Sequence, residues 1–151
     1  MLDLPQISQV SANLLEHARH KGVSELELQR AIQEENVSFL NEVSDELFSY
    51  DEVFTHAREQ GEELERALLE GYNIKFITKD GLKTWLKQKF GFEEGRDYRE
   101  EEGQIKGLVL DKDERQMLES SLAGNWTIET VDNDENQNEQ RVILHLNVWF
   151  D

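Results

Sequence analysis

Gly71 marks a change in the spacing of apolar residues, and that change limits the fold more than any single motif does. Before it the apolar positions recur at helical intervals. Ile7, Val10, Leu14 and Ala18 predict a first helix, and Leu28, Ala31 and Ile32 a second. Phe39, Leu40, Val43 and Leu47 predict a third, and Val53, Phe54, Ala57, Gly61, Leu64 and Leu68 a fourth. Ser24 with Glu27, and Ser49 with Glu52, have the spacing at which a side-chain oxygen caps a new helix. Gly22 and Gly71 suit the left-handed positions that end helices.

After Gly71 strands and helices alternate. Residues 72–78 (YNIKFIT) predict a strand, and residues 79–90 an amphipathic helix with Leu82, Trp85, Leu86 and Phe90 on one face. A second strand is expected over 104–110. A helix over 111–124 follows, capped by Asp111 or Asp113 and by Gly124, with Met117, Leu118 and Leu122 inward. Two strands, 126–131 and 141–150, complete the order β-α-β-α-β-β, while the charge-dense stretch 92–103 reads as a flexible loop. The expected class is α+β: a helical region over 1–70, then a small mixed sheet packed with two helices over 71–151, the two able to share one core.

The chain has no cysteine, which excludes a disulfide framework, a thiolate zinc site and a cysteine nucleophile. The N-terminus lacks the positive charge of a signal peptide, and no apolar stretch reaches the ~20 residues of a membrane span. A cytoplasmic protein without membrane association is expected. The net charge is −17, unevenly spread. Residues 1–74 hold 5 basic against 16 acidic (net −11), residues 75–115 hold 10 and 10, and residues 116–151 hold 1 and 7 (net −6). Such a chain repels phosphate backbones, so nucleic acid is not the expected partner and a basic protein is.

Several constellations bear on function. Residues 131–140 (VDNDENQNEQ) place Asp132, Asp134 and Asn136 at the first three ligand positions of a calcium loop. Gln137 occupies the glycine position and Ile143 the bidentate glutamate position, so the stretch reads as a polar connection between strands and no metal or cofactor is expected. Lys79, Lys83 and Lys87, spaced by four, form a basic stripe that could hold a partner or lie solvated. On the last strand Ile143 and Trp149 share the face opposite the core, a second candidate contact surface. His17, His20 and Glu16 cluster on the first helix and read as polar surface, as do carboxylate pairs such as Glu59 with Glu62 or Glu63.

Ala18, Gly22 and Leu28 form another: an alanine, a turn glycine four residues on and an apolar residue six further. This pattern resembles the helix-turn-helix of bacterial repressors. The resemblance covers roughly 20 residues and implies a DNA-reading helix using Ser24, Glu25, Gln29 and Arg30. It departs from that family where Glu25 and Glu27 replace the polar or basic residues that approach the groove. The expected function is therefore non-enzymatic protein–protein interaction with a basic partner, an inhibitor or immunity-like protein being one concrete form. A DNA-binding regulator, and a metal-dependent or hydrolytic enzyme using clustered carboxylates, are the alternatives.

Overall fold

Ser8 opens the first long helix of the computed structural model, which describes residues 4–44, 49–134 and 138–147. Its hydroxyl accepts from the Ser11 amide and caps α1 (Gln9–His20). The chain divides into two compact units, Met1–Lys75 and Phe76–Asp151, each with its own core. The fold is α+β.

In the first unit, Ser24 and Glu27 complete the predicted capping box at the start of α2 (Glu25–Glu34). Gly22, at φ 92, supplies the left-handed turn between the two helices. Asn36 caps α3 (Val37–Val43). The expected fourth helix is two, α4 (Val53–Gln60) and α5 (Leu64–Glu70), because Gly61 at φ 68 ends the first of them. Ser49 and Glu52 do not make the predicted box: Glu52 is the N-cap and its side chain bonds no amide.

Residues 72–78 are not one long strand. Only β2 (Asn73–Ile74) forms, paired in parallel with β1 (Gln6–Ile7) inside the first unit. Ile77 instead belongs to the second unit, where the Asn125 side chain donates to its carbonyl at 2.8 Å and accepts its amide at 3.3 Å. The indole of Trp126 donates to the same carbonyl at 2.9 Å. A side-chain amide thus provides the pairing a neighbouring strand would have given.

The second unit continues with α6 (Lys79–Phe90), β3 (Arg99–Glu101), β4 (Gln104–Asp111), α7 (Lys112–Ser121), β5 (Trp126–Asp134) and β6 (Glu139–Leu146). Its four strands make an antiparallel sheet in the order β3-β4-β6-β5. Of the two predicted caps it is Asp111 that starts α7, with Glu114 completing the box, and the helix ends at Leu122 before reaching Gly124. Leu82, Trp85, Leu86, Ile105, Leu108, Leu110, Leu118, Val142 and Leu144 are fully buried. Met117, expected inward, is exposed, as is Leu146. The stretch 92–103 is folded, not a loop throughout: it contains β3 and the buried Tyr98.

Candidate functional site

Burial separates functional carboxylates from solvated ones, and among the described residues two glutamates of the first unit are buried. Glu16, whose side chain is 2% exposed, accepts from the Tyr72 hydroxyl at 2.6 Å and from Arg19 at 2.9 Å. Arg19 also reaches the Leu68 carbonyl at 3.0 Å, tying the end of α1 to α5. His17 is likewise inside, so the helix face expected to be polar surface is in part core.

Glu62, in the turn between α4 and α5, has a fully buried side chain. Its Oε1 accepts from Ser11 at 2.6 Å, and its Oε2 lies 3.5 Å from His56 Nε2 and 3.7 Å from Lys75 Nζ. Ser8 Oγ is 3.1 Å from the same His56 nitrogen. Serine, histidine and glutamate therefore meet, but not in the order of a hydrolase. There the carboxylate bonds the ring nitrogen opposite the one that faces the serine, fixing the tautomer. Here both neighbours converge on Nε2, and Ser8 Oγ is engaged as a helix cap. The cluster ties the start of α1 to the α4–α5 turn and the end of β2. Sequence reasoning placed Glu62 among surface carboxylates; its partners, Ser11 and Lys75, are too distant in the chain for any local pattern to reveal them.

The basic stripe on α6 is already occupied. Lys79 pairs with Glu100 at 2.9 Å, Lys83 with Glu94 at 3.2 Å and Lys87 with Glu93 at 3.8 Å. These acids come from the stretch between α6 and β4, which folds as an acidic cover over the lysines. Asp97 accepts from the Arg96 guanidinium and the Glu93 amide, and these bonds hold its carboxyl below the ordinary carboxylate range. Lys79 similarly lowers Glu100, and Lys106 with Arg99 lowers Glu101. Groups with depressed values stabilise the fold above their unfolded pKa, about 4, and lose that contribution as pH falls through the folded value. Titrating the Asp97 carboxyl carbon by NMR is expected to give a midpoint below about 4 that rises in Arg96→Ala. An unchanged midpoint would mean that the pair does not persist in solution. Burial, assisted by Glu94 and Asp97, pushes Tyr98 up to about 12.

Across the outer face of the sheet, Gln104 reaches His145 Nδ1 at 2.8 Å while His145 Nε2 meets Glu129 at 2.6 Å. Ile143 sits half-buried in this polar row, in register with Lys106 and Glu129. Val109, 41% exposed and opposite Arg141, lies on the same face. The predicted companion of Ile143, Trp149, lies outside the described residues, as does Asn136. Asp132 and Asp134 belong to the paired strand β5, opposite Arg141 and Glu139, and not to a loop that could wrap an ion. Among the described residues no three His, Asp or Glu side chains group as a metal site, and no helix is long and apolar enough to cross a membrane.

On the helix-turn-helix segment the side chains are largely committed within the unit. Ser24 caps α2, Glu25 pairs with Arg19 at 2.9 Å, and Gln29 donates to Glu65 of α5 at 3.1 Å. Arg30 makes no ion pair among the described residues. It lines a groove between α2 and α3, about 190 Å³ in volume, together with Leu26, Glu27, Ala31, Glu34 and Phe39. No protein-family model, curated protein or solved structure matches the chain.

Proposed function

We propose that this is an acidic cytoplasmic protein that acts without catalysis, by binding a basic protein, as an inhibitor or immunity-like protein does. The supporting observation is how charge is paired. Arg19, Arg58, Arg66 and Lys75 of the first unit, and Lys79, Lys83 and Lys87 of the second, each meet carboxylates of their own unit. Residues 1–75 hold 6 basic against 16 acidic residues, and residues 76–151 the remaining 10 against 17. With these seven cations engaged within their own units, what acts at a distance is an excess of 10 negative charges on one unit and 7 on the other. Such a potential speeds encounter with a positive surface and opposes encounter with phosphate backbones.

Immobilised protein should capture a basic protein from extract at low ionic strength and release it steeply as salt rises past the point where the Debye length falls below about 8 Å. A captured partner that is acidic, or indifferent to salt, would overturn this reading. The DNA-binding alternative relies on Arg30, the unpaired cation of α2 among the described residues, flanked by Glu27 and Glu34. A shift of duplex DNA abolished by Arg30→Ala would put DNA in the place of the basic protein.

A further inference from the structure

We infer that the α2–α3 groove of the first unit is the seat of an apolar anchor residue carried on a basic amphipathic helix of the partner. This rests on the reading of the protein as a binder of basic proteins and identifies where and how it would bind.

The size of the groove limits its occupant. At about 190 Å³ it falls short of the ~300 Å³ at which drug-sized ligand pockets begin, and is suited to one large side chain. Its lining is apolar where an anchor would insert, at Leu26, Ala31 and Phe39. Leu26 lines the groove and is 67% exposed, so its contacts within the unit leave most of it available to a second surface. The rim is charged. Glu27, Arg30 and Glu34, three and four residues apart, project along one stripe of α2 and carry a net charge of −1. Glu34 has no cationic partner among the described residues, and Glu27 uses one carboxylate oxygen to cap the Ser24 amide, leaving the other. Around this rim the unit is strongly acidic, so the complementary segment carries lysines or arginines beside its apolar anchor. A helix lying in a groove presents that combination, with anchors at helical spacing on one face and charges flanking them. Arg30, between the two glutamates, disfavours a uniformly cationic occupant and would meet a carbonyl or carboxylate on the helix.

The test uses the isotopically labelled full chain and a synthetic helical peptide with leucines at helical spacing, lysines flanking them and one glutamate placed to meet Arg30. At low salt, amide shifts are expected to concentrate at Leu26, Arg30, Ala31 and Phe39. Leu26→Ser, at a position too exposed to disturb folding, should weaken binding about tenfold, as should replacing the peptide leucines with alanine. Glu34→Lys should weaken it at low salt and much less at high salt. The inference is overturned if the lysine peptide does not bind, or if its shifts spread over the acidic surface and ignore Leu26→Ser. It is also overturned if a peptide with glutamates in place of the lysines binds more tightly through Arg30. Salt-sensitive binding that ignores Leu26→Ser would remove the groove while leaving the acidic-binder reading intact. Salt-insensitive capture in the extract experiment would remove that reading itself.

Discussion

Replacing Arg19 with methionine is expected to destabilise the first unit by about 3–5 kcal/mol, because it leaves the Glu16 carboxylate buried without its cation. Glu16 is 2% exposed on its side chain and Arg19 is 23% exposed, so water reaches the pair from one side only. The Tyr72 hydroxyl remains, at 2.6 Å, but a neutral donor does not balance a buried charge. The guanidinium also bonds the Leu68 carbonyl, so its removal loosens α5 as well as α1. The readout is lost hydrogen-exchange protection across both helices. Combining Arg19→Met with Glu16→Gln separates the charge from the packing: a neutral amide still accepts from Tyr72, and most of the loss should be recovered. What persists is the unpartnered Leu68 carbonyl, about 1 kcal/mol. A double variant as unstable as Arg19→Met alone would show that the buried charge is not what Arg19 balances.

That pair also shows where sequence reading reaches its limit. The turn between α1 and α2 was legible because every part of it is local: Gly22 must adopt a left-handed φ, and Ser24 and Glu27 lie three residues apart. The end of α4 at Gly61 was locally encoded too, yet it was hidden because Ala57, Leu64 and Leu68 continue the apolar period across the break. Burial of Glu16 and Glu62 was not legible. A chain with 33 acidic residues offers no local sign of which are covered, and Glu16 and Glu62 meet Tyr72 56 residues away and Ser11 51 residues away. The same holds for the α6 stripe. Its spacing showed a basic face, but whether that face is free depended on how residues 92–103 fold back, which only the pairs with Glu93, Glu94 and Glu100 reveal. For residues 72–78 the strand pattern was genuine but divided, Ile74 going to the core of one unit and Ile77 to that of the other.

Trp85→Ala is expected to cost the second unit about 3–5 kcal/mol, the range for emptying a buried aromatic site. Trp85 is fully buried on α6, with Leu82 and Leu86 on the same face. Its ring meets Phe90 edge-on at 5.6 Å, and Phe90 in turn stacks on Phe92 at 5.3 Å. Phe92 begins the stretch that carries Glu93 and Glu94 back to the lysine stripe. The aromatic chain therefore couples core packing to surface pairing, and the substitution should act on both. Denaturant unfolding followed on the sheet would report the loss of stability, while faster exchange of the Tyr98 and Glu100 amides would report release of the acidic cover. Trp85→Phe keeps an aromatic partner for Phe90 and should cost less on both counts. If Trp85→Ala lowered stability but left those amides protected, the cover would be held by its ion pairs alone. If stability fell by less than about 1 kcal/mol, the side chain would not be packed as described.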